Sequence, residues 1–593
     1  MPPFLAMRHR WPKSLIVMLK LLALLSLVSP VLGSRGQLYQ DGQVIDVWVN
    51  KVAPYSSPTE SYEFYEKMPW CKPQTLVHRS LKLGETLAGD HLVRSLYNIT
   101  FRESLHDHLL CEQSLTPQQV NQFAYAIKKR FVYDMLVDNL PIKLFVGEIS
   151  DEEATTKLHL YTHIEFVFSI NGNHIIEASA TPDKPVELVP GQHANIRFSY
   201  SVSWQETEFP VDRRADKYRD PFHMRDREIH WFSIGNAVLI AVLLMGLLGS
   251  ILLRVVRKDF REYEALEAED DSDDYGWKLL YADVFRFPKY LTLLCPLLGT
   301  GVQLLILCFT LLMFGALEFF HPLSRGAIYT TAVCSYAATA GIAGFTSGYL
   351  YKQMGGSAWV RNAMVTVFVF CGPASSIWVY LNSVALLYKS TRALPLWTIA
   401  SVAALWALVT IPLTVLGAII GKNQSRPCDS PGRTTKIPRE IPKGPWYRRP
   451  QFLALVCGLM PFSSIYVELY FMFGALWGHK IFQVYEMLAI VFIILMLVTI
   501  ITTASAVYFQ LVAENYKWVW SSLAYGGSVG AYIFVYSAYY YYIRSPLEGF
   551  MQASFFFGYM LLVSYAFFLM CGTVGFFSAR KFVRFLYTSI KSD

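Results

Sequence analysis

Charge is what this sequence has least of. Only 16% of its 593 residues are Asp, Glu, Lys or Arg, against 53% hydrophobic, whereas a soluble domain carries about 25% charged residues. The shortage excludes a wholly water-soluble chain, and it is uneven. Residues 34–230 read as ordinary soluble protein, and nearly all the long apolar runs follow Trp231. Cysteine is sparse too: there are nine, none in a C-x-x-C pair, so zinc and thiol-redox motifs gain no support. No metal site and no cofactor is expected. No Ser, His and Asp residues form a set with placeable geometry, so a hydrolase is excluded and no enzyme is expected. The net charge of +7 does not imply nucleic acid, because Lys and Arg gather at the ends of the apolar runs, where they act as a topology signal.

What is present begins with a signal peptide over residues 1–33. Arg8, Arg10 and Lys13 give a basic start, Leu21 to Val28 an apolar core, and Val31 and Gly33 the small residues a signal peptidase accepts. The core is short for a membrane span, which needs about 20 residues; an uncleaved anchor is the alternative. Residues 34–230 then read as a β-rich, sandwich-like lumenal domain. Ile196, Phe198, Tyr200, Val202 and Trp204 alternate with Arg197, Ser199, Ser201 and Ser203, the period of a half-buried strand. Ile164, Phe166, Phe168 and Ile170 repeat the pattern, and Asn171-Gly172 supplies a turn. Thr116-Pro117 opens a helix running to about Tyr133, with Val120, Phe123, Ala124 and Ile127 on one face. Cys71 and Cys111 precede the first apolar run; an oxidising lumen would let them pair, and two unrelated thiols are the alternative.

Nine apolar runs follow, each long enough to cross about 30 Å of hydrocarbon as a helix. They are too continuously apolar for the strands of a membrane barrel. The expected fold is therefore a polytopic α-helical membrane protein with nine transmembrane helices behind the β-rich domain. A first span covers 231–253, an acidic cytosolic tether 254–290, and the remaining eight spans 291–578. A basic loop lies at 422–449 and a cytosolic tail at 579–593. Orientation follows from the eight Lys and Arg in the basic loop and from Arg580, Lys581, Arg584 and Lys591 in the tail, which belong in the cytosol. The sequon at Asn98 is then lumenal and open to N-glycosylation, whereas that at Asn423 is not.

Several blocks resemble the transmembrane 9 superfamily, or nonaspanins. Val49-Asn50-Lys51-Val52 with Pro54-Tyr55, and Tyr62 to Cys71 (YEFYEKMPWC), are similar to its opening signature. Glu228 to Asn236 (EIHWFSIGN), Asp283 to Pro288 (DVFRFP) and Gly299 to Gln303 (GTGVQ) resemble its first two spans. Ile437 to Tyr447 (IPREIPKGPWY), Leu459 to Tyr470 (LMPFSSIYVELY) and Tyr508 to Trp520 (YFQLVAENYKWVW) follow in the family's order. One departure is Val519, where the family often carries a third Trp. The resemblance implies residence in Golgi and endosomal membranes and work in sorting, localisation and surface delivery of other membrane proteins. Cargo with small-residue-rich transmembrane segments, and coatomer bound by the terminal Lys591 and Asp593, are the implied partners.

Residues that could carry such work follow from the physics of lipid. Glu468, after Pro461 in the sixth run, is a carboxylate at membrane depth, which costs at least about 2.5 kcal/mol. Proton coupling in a transporter or channel is one use for it, and a structural hydrogen bond the other. Ala340, Gly344 and Gly348, and Gly526 and Gly530, have small-xxx-small spacing, suited to packing the chain's own helices or to a cargo groove. Tyr539 to Tyr542 reads as an interfacial aromatic belt.

Overall fold

The computed structural model describes residues 36–588 apart from 153–154, 219–222, 269–276, 278–279, 318, 321–322, 324, 428–436, 443 and 478–484. The expected signal peptide, Lys591 and Asp593 lie outside the described residues.

The N-terminal part is β-rich, as its alternation requires. One sheet holds β1 (Val44–Pro54), β2 (Tyr62–Glu63), β3 (Val93–Thr100), β5 (Phe131–Val137) and β6 (Leu140–Phe145). The other holds β4 (Leu105–Leu115), β7 (Gly147–Glu152), β8 (Thr155–Asn171), β9 (His174–Glu187) and β10 (Ala194–Glu206). Ile164, Phe166, Phe168 and Ile170 of β8 and Ile196, Phe198, Tyr200 and Val202 of β10 point into the core. Gly172, at φ +57°, makes the tight β8–β9 turn. The pairing departs from a purely antiparallel sandwich at one seam, where β10 runs parallel to β8. The cause is an edge left open: β9 covers one side of β8, while β7 pairs only with residues 155–160 on the other. After β9 the chain reverses through residues 188–193, and β10 fills the vacant stretch in β8's own direction.

Two short helices, α1 (Phe64–Lys67) and α2 (Leu83–Leu87), and the longer α3 (Pro117–Lys128) complete the domain. Thr116 caps α3, its backbone N–H donating to Gln119 Oε1 at 2.9 Å, a reciprocal arrangement that satisfies two amides. Val120, Phe123, Ala124 and Ile127 are buried. The helix stops short of Tyr133 because Arg130 turns left-handed at φ +49° and strand β5 begins at Phe131. Trp70 centres the aromatic core, with ring centroids 5.4 Å from Phe64, 5.0 Å from Phe123 and 5.6 Å from Phe198.

The rest is helical: α4 (His223–Ala268), α5 (Leu291–Ala316), α6 (Ala327–Gln353), α7 (Trp359–Leu387), α8 (Leu396–Leu405), α9 (Ile411–Gln424), α10 (Pro450–Ser463), α11 (Tyr466–Trp477), α12 (Tyr485–Val512), α13 (Trp518–Gly527), α14 (Val529–Tyr539) and α15 (Phe550–Thr588). Among the described residues, five helical runs are long and apolar enough to cross a membrane: α5, α7, Leu396–Gln424, α12 and α15. The bent pair α10–α11 makes six if it counts as one span. That is fewer than the nine apolar runs; the remainder fall on α4, on the Ala-, Gly- and Thr-rich α6, and on α13–α14, which is interrupted at Ser528.

Two boundaries and the tyrosine run differ from expectation. Helix α4 continues to Ala268, so Glu262, Glu264 and Glu267 lie on a helix rather than in a tether. Helix α15 continues to Thr588 and takes in Arg580 and Arg584. The tyrosine run is no belt throughout: Tyr540 and Tyr541 are buried, with Tyr541 5.1 Å from Phe556, because the backbone widens into a π-turn over Tyr540–Arg544. A second π-turn at Trp406–Thr410 precedes Pro412, whose missing N–H disturbs the ordinary ladder.

The β-rich domain sits on one end of the helices. Ser61 O accepts from Thr391 N at 2.9 Å and from Ser390 Oγ at 2.7 Å, while Gln552 Oε1 accepts from Thr59 N at 3.1 Å. Gly84 and Gly326 touch backbone to backbone, and a Cβ at Gly84 would stand 1.9 Å from Gly326 O. The connections α5–α6, α7–α8 and α14–α15 therefore share the β-domain end.

Candidate functional site

A groove of about 570 Å³ opens along the side of the helices. Helix α7 contributes Ser376, Ile377 and Tyr380, α14 contributes Phe534, and α15 contributes Ala553, Ser554 and Gly558. Tyr380 is half exposed, and its hydroxyl lies 3.3 Å from Ser554 Oγ. Three hydroxyls and two small residues thus interrupt an apolar, outward-facing surface. Such residues let a second helix approach closely and bond to it, the usual glue between helices in lipid. No sequence signal marked them, because they come from three separate helices.

Glu468 lies nearby in sequence logic but not in this groove. Pro461 lies inside α10, and the chain turns through 68° before α11 begins. Glu468 therefore sits in the first turn of a newly started helix, where free N–H groups and the helix dipole favour a carboxylate. It is buried, and neither carboxylate oxygen has a hydrogen-bond partner among the described residues. Of its two expected uses, the structural hydrogen bond to a neighbouring helix is not seen among the described residues.

The family-like signature Val49 to Val52 has a structural task. Asn50 and Lys51 belong to β1, and both reach Asp90: Asn50 Nδ2 and Lys51 Nζ each lie 3.0 Å from Asp90 Oδ1. Arg325, from the α5–α6 connection, approaches from the other side, its Nε 3.1 Å from Asp90 Oδ2. Asp90 is buried. Burial by itself would raise its pKa, but Lys51, Arg325 and the Asn50 hydrogen bond outweigh it and hold the carboxyl below its ordinary value. A charge cluster thus clamps the β-rich domain to the helices.

The remaining predicted residues are placed as follows. Cys71 and Cys111 are joined as a disulfide, with Cα atoms 6.3 Å apart. Asn98 lies exposed on the edge strand β3. The four glycines all pack the chain's own helices. A Cβ would meet Thr414 O at 1.9 Å from Gly344, Ala418 O at 2.6 Å from Gly348, Cys571 O at 2.3 Å from Gly526 and Ser564 O at 2.4 Å from Gly530. None offers an open face to cargo. Among the described residues no group of three His, Cys, Asp or Glu side chains could hold a metal ion.

The sequence profile of the family described as Endomembrane protein 70 matches residues 61–550. The chain belongs to the transmembrane 9 superfamily. Transmembrane 9 superfamily member 4 of Arabidopsis thaliana is 42% identical over 95% of this chain and 97% of its own length. Member 2 of that plant is 44% identical over 94% of this chain and 95% of its own. Member 1 of Bos taurus is 41% identical, covering 94% of each chain. No solved structure matches. As a transmembrane 9 superfamily protein the chain is a multi-pass integral membrane protein.

Proposed function

We propose that this protein sorts other membrane proteins through Golgi and endosomal membranes and delivers them to the surface. Its nine spans put the β-rich domain in the lumen and the tail in the cytosol. The observation that carries the reading is the lateral groove, which presents Ser376, Tyr380 and Ser554 beside Ala553 and Gly558. A cargo helix rich in small and polar residues fits such a face, where plain lipid chains would leave the hydroxyls without intermolecular partners. Cytosolic Lys591 and Asp593 supply the coatomer signal that returns the protein to the Golgi. The test is proximity labelling from the β-rich domain in cells, comparing wild type, Asp593→Ala and the groove variant Ser376→Leu/Ser554→Leu. Sorting predicts that the groove variant loses membrane cargo while keeping its location, and that Asp593→Ala redistributes. Unchanged cargo in the groove variant removes the groove from the account.

A second reading has one specific observation in its favour, the unpartnered Glu468 at a broken helix. Interrupted helices carry ion and substrate sites in transporters. A proton-coupled transporter predicts flux in reconstituted vesicles that Glu468→Gln abolishes; absence of flux in the wild type eliminates it.

A further inference from the structure

Strand β8 departs from its alternation at His163. Ile164, Phe166 and Phe168 face the core, so His163 belongs to the outward set, yet it is buried. It stands beside Ser199 on β10 and Asp183 on β9. What covers it is a strap across the sheet. Lys184 of β9 reaches Asp107 of the edge strand β4, Nζ to Oδ1 at 2.8 Å, and the strand order places β10 and β8 between the two. Both ends of the strap are left-handed residues other than glycine, Asp107 at φ +46° and Lys184 at φ +49°, a conformation that outside contacts must hold. Asp107 also lies in a bulge, where β4 slips against β10 between the Tyr200–His108 and Val202–Leu105 pairs.

Both ring nitrogens of the imidazole beneath the strap are engaged. Nδ1 lies 2.8 Å from Ser199 Oγ and 3.5 Å from Asp107 Oδ1, and Nε2 lies 3.0 Å from Ser201 Oγ. Asp107 N donates to Ser201 Oγ at 3.1 Å, and the Ser199 hydroxyl is hydrogen-bonded to the Asp107 carboxylate. A carboxylate only accepts, so Ser199 donates to Asp107 and accepts the Nδ1 hydrogen. Nε2 is then the bare nitrogen, accepting from Ser201. Ser201, His163 and Asp107 have the composition of a hydrolytic triad, but Ser201 Oγ is occupied by the Asp107 amide and works as a link between strands. This pattern suits a neutral ring. A second hydrogen, on Nε2, would meet the Ser201 hydroxyl hydrogen, and a positive ring would lie under the Lys184 ammonium. The charged groups around the ring are Asp107 from β4, Glu165 on β8 itself, and Asp183 and Lys184 from β9, with Arg197 of β10 acting on Asp107. Burial and Lys184 oppose protonation, the three carboxylates favour it, and the balance holds the imidazole below its ordinary pKa.

We infer that His163 is an acid-operated latch: a proton taken from water turns its ring into a competitor of Lys184 for Asp107, opens the strap and loosens the bulged part of β4 from β10. Asp107 remains a carboxylate throughout, because the hydrogen bonds from Lys184 and Ser199 hold its pKa at about 2. Only its partner changes. The imidazole of the closed latch has a pKa below the value of about 6.5 that it regains once the strap opens. The closed form is therefore favoured above about pH 6.5 and loses ground as pH falls through that value toward the lower one. Use of the latch in an acidifying lumen rests on the orientation proposed above; the latch itself does not, and it lies apart from the lateral groove.

The test is hydrogen exchange read by mass spectrometry on the full-length protein in detergent, at about pH 7.5 and about pH 5.5. Protection is corrected for the intrinsic pH dependence of amide exchange. Peptides covering 105–110 and 182–187 should lose protection at the acidic pH, while those of β5 keep theirs. A single proton limits the loss to about tenfold for each pH unit below about 6.5, so a fall of up to about tenfold is expected. His163→Gln, which takes up no proton, should be equally protected at both pH values. Lys184→Gln, which removes the strap, should be less protected already at neutral pH and lose less on acidification. Thermal melting of each variant separates an open latch from a lost fold, and Lys184→Gln carries the test if His163→Gln fails to fold. Unchanged protection of 105–110 in acidified wild type overturns the proposal, as does an undiminished acid loss in folded His163→Gln. Wild-type protection of Lys184→Gln at neutral pH, or an equal acid loss in β5, overturns it as well. Cargo capture is not read in this experiment, so its failure is distinguishable from failure of the sorting role.

Discussion

Asp90→Asn isolates the clamp between the β-rich domain and the helices. The substitution keeps the shape and the acceptor for Asn50 but removes the charge facing Lys51 at 3.0 Å and Arg325 at 3.1 Å. Asp90's side chain is 2% exposed, and its partners are 15% and 21% exposed, so water screens the cations only partly. Breaking a buried pair costs about 3–5 kcal/mol; with partial access to water the lower end applies, about 3 kcal/mol. This corresponds to an undocked population raised on the order of 100-fold. Among the amides bonded across the junction, two report it directly: Thr391 N bonded to Ser61 O and Thr59 N bonded to Gln552 Oε1. Hydrogen exchange at both should accelerate together in Asp90→Asn, while amides of β8 stay protected. Combining it with Arg325→Gln should be strongly non-additive. The pH dependence has a definite sign. Asp90's folded pKa is depressed, so its contribution is fully present above the unfolded value near 3.9 and is lost as pH falls through the lower folded value. Docking should therefore hold through mildly acidic pH and weaken only below about 4. Unchanged exchange at the two junction amides in a folded variant refutes the clamp.

Removing the Cys71–Cys111 bridge, whose ends are 40 residues apart, should destabilise the β-rich domain by about 4 kcal/mol on the loop-entropy estimate, seen as earlier melting of Cys71→Ser/Cys111→Ser. Gly348→Leu forces a Cβ within 2.6 Å of the Ala418 carbonyl and should cost about 3 kcal/mol or more. Gly249→Leu meets nothing within 4 Å and should melt like wild type; equal effects would refute the packing argument. Replacing the unpartnered Glu468 by Met should raise the melting temperature of the helical region, because it relieves about 1–3 kcal/mol of unmet polar burial. A lower melting temperature would show that the carboxylate has a partner.

The sequence by itself determined the division into a β-rich part and a membrane part, the alternation in β8 and β10, the capped helix after Thr116, and family membership. Each rests on signals local in the chain: composition, a period of two, a capping box, an ordered set of motifs. It also marked Glu468 and the glycine faces, since a carboxylate or a run of small residues in an apolar stretch is conspicuous one residue at a time. What only the tertiary structure decided is how distant pieces meet. The parallel seam between β8 and β10 depends on which edge β9 had already taken. The left-handed Asp138 and Asn139, at φ +49° and +64°, make the β5–β6 turn without the glycine that would have announced it. The Asp90 clamp joins residues 235 positions apart, and the lateral groove draws on three separate helices. Period and composition report a residue's own surroundings along the chain, whereas these sites exist only once packing has brought the segments together.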